Sequence, residues 1–164
     1  ARYFPDLAPV ASADFNDHTP AARIYQVDPI AGDARSIDKP IGDGAQLLSA
    51  SVQAAEVGVR AGQPVRLLLR WRVVQESGDT FDAFVHVVNA SGKLLTQDDI
   101  QGLPTSGWLP GQEFLSAHVI QLPADTPRGR YTVLAGIDRR TNQQPSTSLG
   151  ELGPQVPVLT LVQG

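Results

Sequence analysis

The sequence contains no cysteine and no methionine, and only two of its 164 residues are lysine. Without cysteine this chain has no disulfide, no thiolate nucleophile and no cysteine-ligated metal. The absence of cysteine does not indicate the cellular compartment, because an exported domain of this size can be stable without disulfides. Because the sequence begins at Ala1 and has no methionine, we expect that a segment upstream of Ala1 was removed or belongs to the same, longer chain. No run of about 18 apolar residues occurs, so the sequence predicts no transmembrane helix.

Charge and motif content exclude several classes of function. The net charge is −4, and the basic residues are dispersed along the chain. This pattern disfavours a phosphate-binding surface, and we expect no nucleic-acid partner. The nucleophile elbow, the zinc-protease motif, the P-loop and the dinucleotide fingerprint are all missing from the sequence. We therefore expect no catalytic residues in this chain.

The chain divides into two parts by composition. Residues 1–40 are rich in proline, aspartate and alanine, which predicts an extended N-terminal arm or linker. Across residues 41–164, apolar runs of strand length alternate with turn signals, and no helical periodicity appears. This pattern predicts an all-β fold, an antiparallel β-sandwich of seven to eight strands with a Greek-key, jelly-roll or immunoglobulin-like topology.

Two neighbouring runs show the alternation most clearly. In VRLLLRWRVV, every second residue is apolar, so Trp71 is predicted to face the core with Leu67 and Leu69. The following run, FDAFVHVVN, begins after the turn-like segment ESGD. The sequence therefore predicts that these two strands pair as a hairpin.

Carbohydrate binding needs aromatic rings at the surface, and this chain offers few. Trp108 lies in a loop between two prolines and is the better candidate glycan platform, while Tyr25 and Tyr3 are more distant candidates. The alternative is that a tryptophan in a W-x-P-G turn covers the open end of the sandwich.

Three arginines alternate along one strand. Arg66, Arg70 and Arg72 share the face opposite the core, where guanidinium groups can bind carboxylates, phosphates or a partner protein. The alternative is cross-strand pairing with carboxylates such as Asp82. Both interpretations stay open at the level of sequence.

Histidine and aspartate provide the candidate metal ligands. His86 and His118 could meet Asp98 or Asp99 across neighbouring strands and bind a divalent metal. Asp98 and Asp99 alone could hold a structural calcium ion beside a turn, and no other cofactor is expected. The alternative places His86 in a hydrogen bond beside Phe84, His118 at an exposed position and the two aspartates in a solvated turn.

Short motifs occur in an order that resembles a known family. They comprise Arg70–Trp71, F-V-H, the aspartate pair, W-x-P-G, L-P-x-x-x-P-x-G-x-Y and G-x-D. This order resembles the β-sandwich domain that follows the membrane-spanning part of bacterial dolichyl-phosphate-mannose-type glycosyltransferases, over roughly residues 41–162. Gln112 and Ile137 depart from the family pattern. The resemblance implies an extracytoplasmic, non-catalytic appendage to which no catalytic residue can be transferred.

Two functions follow as expectations. The first is an accessory domain of a larger membrane-associated glycosyltransferase that binds a glycan or a partner. The second is a structural or interaction subunit of a cell-surface or membrane-bound assembly. The expected partners are the rest of a larger polypeptide, a membrane-complex protein or a carbohydrate.

Overall fold

A computed structural model describes residues 9–14, 20–25, 34–42, 44–52, 56–76, 81–103, 108–139 and 154–164. For residues 9–14, 20–25, 102 and 139 it describes the backbone alone. These parts of the chain form strands and turns. None of them forms a helix long and apolar enough to cross a membrane.

Eleven strands occur among the described residues. Their bounds are β1 Pro9–Asp14, β2 Pro20–Tyr25, β3 Arg35–Ile41, β4 Ala45–Ala50, β5 Glu56–Val59, β6 Pro64–Val73, β7 Phe81–Val88, β8 Leu94–Leu103, β9 Glu113–Gln121, β10 Gly129–Arg139 and β11 Gln155–Gln163.

Nine of these strands form two sheets that pack as a sandwich. One sheet has the order β3-β4-β6-β9 and the other β5-β11-β10-β7-β8, while β1 and β2 pair with each other. All described pairings are antiparallel except β5 with β11. The predicted antiparallel β-sandwich is confirmed, with nine strands instead of seven or eight. Of the topologies that the sequence left open, the order is immunoglobulin-like, because β10 lies between β11 and β7 while β6 lies in the opposite sheet.

The predicted pairing of the two alternating runs is wrong. β6 pairs with β4 and β9, whereas β7 pairs with β10 and β8 in the other sheet. Each run buries one face in the same core, from opposite sides. Leu69 and Trp71 of β6 are fully buried, as are Val85 and Val87 of β7. Alternation therefore identified the core face correctly, but the segment between the runs crosses from one sheet to the other.

The turn between β9 and β10 carries a tyrosine corner. The hydroxyl of Tyr131 donates to the carbonyl of Pro127 at 2.6 Å, and the ring is 6% exposed. Such a bond from the strand back to the preceding turn is a recurrent feature of immunoglobulin-like sandwiches. The P-x-G-x-Y motif thus stabilises the end of the sandwich where β9 ends and β10 begins.

The predicted division after residue 40 stays a prediction. β3 spans this position and pairs with β4 from Arg35 to Ile41, with an irregularity between Ser36 and Lys39. Within the predicted arm, β1 and β2 form a hairpin of their own.

Candidate functional site

A cleft opens between the two sheets at the end where β6 and β10 finish and where β7, β9 and β11 begin. Its volume is about 350 Å³, near the lower end of the roughly 300–1,000 Å³ typical of small-molecule sites. The residues that line it are Ile41, Gly42, Gly44, Ala45, Val73, Gln75, Glu76, Phe81, Trp108, Phe114, Ile137, Asp138 and Pro154. The connections at this end correspond to those that carry the binding loops of immunoglobulin variable domains.

The W-L-P-G turn fixes Trp108 at the cleft. Gly111 donates its backbone N–H to the carbonyl of Val73 at 2.8 Å, and the N–H of Val73 donates to the carbonyl of Gln112 at 2.8 Å. The side chain of Gln112 accepts the N–H of Leu109 at 2.9 Å. Gly111 has a φ of +88°, which glycine adopts most readily. The turn is thereby attached to the last residue of β6.

Three aromatic rings form a continuous column from the cleft into the core. Trp108 contacts Phe114 with ring centroids 4.3 Å apart, and Phe114 is stacked on Trp71 with centroids 6.1 Å apart and an angle of 11°. Trp71 is fully buried, as predicted. Trp108 is half-buried and lines the cleft. Its role as a glycan platform stays a prediction.

Polar groups occur on the same cleft. Gln75 and Glu76 follow β6, and Asp138 lies near the end of β10. Sequence reasoning missed these three residues together with Phe81 and Phe114. They lie on separate strands and loops, and only the sandwich topology brings them to one end.

Two further aromatic candidates are not placed at this cleft. Tyr25 is the last residue of β2, and its side chain is outside the described part of the structure. Tyr3 lies outside the described residues altogether.

The arginine row lies on the outer face of the four-stranded sheet. Arg70 contacts Glu113 at 2.5 Å and Arg72 contacts it at 2.9 Å, across the β6–β9 pairing. The hydrogen bond from Arg72, together with Arg70, lowers the pKa of Glu113. That Arg66, Arg70 and Arg72 bind an external anion or partner stays a prediction.

A second surface ion pair joins β5 to β10. Arg130 donates to Glu56, which lowers the pKa of Glu56 and raises that of Arg130. Because both side chains are exposed, we assign this pair little weight in stability.

The candidate metal ligands separate into two pairs. Asp98 and Asp99 lie on opposite faces of β8 because successive strand residues alternate. Nδ1 of His118 lies 3.5 Å from Oδ2 of Asp98, and Nε2 of His86 lies 3.4 Å from Oδ1 of Asp99. Among the described residues no three histidine, aspartate or glutamate side chains form a metal-binding group. The structure thus does not bring the four predicted ligands together.

The alternative placement of these residues is corrected in part. His86 stacks on Phe84 with centroids 4.6 Å apart, beside it as expected, but its buried Nδ1 has no hydrogen-bond partner among the described residues. His118 is 1% exposed, so its expected exposed position is wrong. The solvated turn expected for Asp98 and Asp99 is wrong too, because both lie within β8 and Asp98 is 4% exposed. For His118, the core face of β9 explains the burial, and a hydrogen-bond network satisfies the ring there.

This network contains the residue types of a hydrolase triad. Trp71 donates to the hydroxyl of Ser116 at 2.8 Å, and that hydroxyl lies 2.9 Å from Nε2 of His118. Nδ1 of His118 lies 3.1 Å from the carbonyl oxygen of Asp98, whose carboxylate accepts the N–H of Val119 at 2.9 Å. The oxygens of Asp98 beside Nδ1 can only accept, so Nδ1 carries a proton, and Nε2 of the neutral ring accepts from the hydroxyl of Ser116.

The burial of this network determines its role. Ser116 is 2% exposed and Asp98 4% exposed. Neither residue lines the cleft, so no substrate bound there can reach the hydroxyl. The arrangement joins β8 and β9, the edge strands of the two sheets, through buried hydrogen bonds.

The architecture is that of an immunoglobulin-like β-sandwich domain. It is similar to the crystal structure of the C-terminal domain of Wzt, with a TM-score of 0.51 and 13% sequence identity over 76% of this chain and 75% of that chain. At this identity the likeness concerns the fold alone. No protein-family model matches the sequence, and no curated protein matches it.

Proposed function

We propose that this chain is a non-catalytic accessory module that binds a glycan in the cleft beside Trp108. The observation that carries the proposal is the combination of aromatic rings and polar side chains in one cleft. Trp108, Phe81 and Phe114 supply ring surface, and Gln75 and Glu76 supply hydrogen-bonding groups.

This combination fits the chemistry of a sugar ring. The C–H groups of a pyranose form an apolar surface that packs on an aromatic ring, while its hydroxyls donate to carboxylates. The cleft wall is divided almost evenly between apolar and polar surface, which suits a ligand with both C–H faces and hydroxyls. The backbone hydrogen bonds of the W-L-P-G turn hold Trp108 in place before binding, which reduces the entropy cost of association.

The setting of the module is a further part of the proposal. We place it outside the cytoplasm as part of a larger membrane-associated glycosyltransferase. The motif order from Arg70 to Asp138 supports this assignment. The sequence encoded upstream of Ala1 tests it: several membrane spans and a transferase domain are expected, whereas a signal peptide alone would favour an independent subunit.

A specific observation favours a second function, an interaction subunit. Leu115 and Val119 are 47% and 49% exposed and lie on one face of β9, which is an edge strand. An exposed apolar row on an edge strand is a surface on which another chain can pack. Replacing both residues with lysine would abolish association with such a partner or with a second copy, measured by sedimentation velocity.

Nuclear magnetic resonance tests the glycan proposal on the whole 164-residue chain. The chain has two tryptophans, so two indole N–H signals are expected. A bound saccharide should move the Trp108 signal and leave that of buried Trp71 in place. Trp108→Ala should abolish saccharide binding on a glycan array. Leu109→Ala is the matched control, because its side chain is 53% exposed and does not line the cleft.

A further inference from the structure

A second hollow adjoins the cleft at Trp108. Its lining residues are Val73, Trp108, Gln112, Glu113 and Phe114. Three of them, Val73, Trp108 and Phe114, also line the cleft. Trp108 therefore borders both hollows, and a molecule that packs on its ring can extend into either of them.

Each hollow has its own pair of polar side chains. Gln75 and Glu76, which follow β6, line the cleft but not the second hollow. Gln112 precedes β9 and Glu113 begins it, and this pair lines the second hollow but not the cleft. Each pair combines an amide, which donates and accepts hydrogen bonds, with a carboxylate, which accepts them. The two hollows thus present the same kinds of polar group beside a shared aromatic wall.

The polar groups of the second hollow are held in place before any ligand binds. Oε1 of Gln112 accepts the N–H of Leu109 at 2.9 Å, which orients the amide and leaves its NH₂ group to donate. The carboxylate of Glu113 accepts from Arg72 at 2.9 Å and contacts Arg70 at 2.5 Å, yet the side chains of Glu113 and Arg72 remain partly exposed. Groups that are already ordered lower the cost of binding.

Hollows that share a wall and carry the same polar groups suit a ligand built of repeated units. Each unit of a glycan chain has C–H groups for ring contact and hydroxyls for hydrogen bonds. Once one unit is bound at Trp108, the next unit binds within the same complex, so it adds contacts without the cost of a second association. A single sugar cannot gain in this way.

We propose that the two hollows are adjacent subsites for one glycan chain, which crosses Trp108 and places sugar units in both. Gln112 and Glu113 form the second subsite. The ligand class is a segment of an oligosaccharide or polysaccharide, and a monosaccharide is a weak ligand. The inference rests on the glycan-binding function proposed above and adds the size of the ligand.

Side-chain amide signals report on the two hollows separately, because Gln75 borders only the cleft and Gln112 only the second hollow. The test is a titration of the isotope-labelled 164-residue chain with mono-, di-, tri- and pentasaccharides of one neutral sugar. The trisaccharide should shift both amides and the Trp108 indole with one common dissociation constant. A trisaccharide that moves Gln75 and Trp108 while the Gln112 signals stay in place would overturn the inference.

The same titration gives the dependence of affinity on chain length. Affinity should rise at least ~10-fold from the monosaccharide to the trisaccharide, because hydrogen bonds in the second hollow are added. A gain no larger than the number of sugar units in the chain would be statistical, and it would overturn the inference while glycan binding stood. No response at Trp108 with any saccharide would refute the proposed function itself.

The variant Glu113→Ala assigns the gain to the second hollow. It should reduce the gain to ~2–3-fold, because the carboxylate of that subsite is lost. Glu56→Ala is the matched control: Glu56 is also exposed and paired with an arginine, Arg130, but lines neither hollow. This control should keep the full gain, and an unmoved Trp71 indole signal shows that each variant is folded. A Glu113→Ala protein that keeps the full gain would refute the second subsite.

Discussion

The rings of Trp108 and Phe114 are in contact, with centroids 4.3 Å apart and planes tilted by 44°. Phe114 is in turn stacked on Trp71, which is fully buried and hydrogen-bonded to Ser116. A half-buried ring at the cleft is thus supported by a rigid core. Preorganised ring surface of this kind lowers the cost of binding, which connects the packing of the sandwich end to its proposed function.

Phe114 is expected to position Trp108. Phe114→Ala should lower the free energy of unfolding by about 1–3 kcal/mol, less than the ~3–5 kcal/mol typical of a fully buried phenylalanine, because Phe114 is half-buried. The Trp108 indole signal should broaden or shift, since its supporting ring is lost. Urea unfolding and NMR check the two effects, and a sharp, unmoved Trp108 signal in the variant would show that the turn alone holds the ring.

Glycine is required at position 111 by the backbone conformation of the turn and not by a lack of space. Its φ is +88°, and a Cβ there would meet no atom within 4 Å. Gly111→Ala should cost roughly 1–2 kcal/mol, since a side chain disfavours positive φ. Gly58→Ala is the matched control, because that position is equally open and has no positive φ; it should be neutral or stabilising by about 0.4–1 kcal/mol. Equal thermal stability of the two variants would contradict this account of the turn.

The ring of Phe84 packs against Gly136 and leaves no room for a side chain there. A Cβ at Gly136 would lie 2.2 Å from Cζ of Phe84, which lies opposite it on β7. Gly136→Ala should therefore destabilise the protein by about 1–3 kcal/mol or more. Phe84→Leu removes the clashing atoms, so the double variant should be more stable than the sum of the single effects predicts. Additive unfolding free energies would mean that the clash is not the cause.

The buried network is expected to contribute stability and no activity. Ser116→Ala leaves Nε1 of Trp71 and Nε2 of His118 without their shared partner, which should cost about 1–3 kcal/mol. Ser36→Ala removes an exposed hydroxyl that donates to Asp38 and should have almost no effect. A catalytic serine would behave differently: its loss would abolish hydrolysis of a test ester while stability hardly changed.

The Glu113 ion pair gives a pH dependence of known sign. Because Arg72 and Arg70 lower its folded-state pKa below the ordinary 4.5, its contribution to stability is present above that unfolded value and is lost as the pH falls through the folded value. Glu113→Gln should therefore lose part of the acid-dependent change in melting temperature between about pH 6 and pH 2. The difference should shrink in high salt, since the residue is exposed. Parallel profiles for the two proteins in low salt would show that the pair adds nothing to stability.

Local patterns in the sequence predicted part of this fold. The alternation in β6 identified its core face, where Leu69 and Trp71 are fully buried. Alternation determines the face of a strand but not its sheet, and for this reason the pairing of β6 with β7 was wrong. The same alternation places Asp98 and Asp99 on opposite faces, because β8 continues past both residues to Leu103.

The cleft could not be predicted in the same way. Trp108 was recognised because a tryptophan between prolines is unusual, but Phe81, Glu76 and Asp138 are ordinary residues near strand ends. They meet at one site because the immunoglobulin-like topology gathers those ends. A prediction of the site thus required the order of strands in each sheet, which depends on contacts distant in sequence.

Saccharide titration of the 164-residue chain, followed through its two indole N–H signals, tests the central claim most directly. We expect a saturable shift of the Trp108 signal with a bound oligosaccharide, no shift for Trp71, and loss of binding in Trp108→Ala but not in Leu109→Ala. No saccharide response at Trp108, or an equal response in both variants, would contradict it.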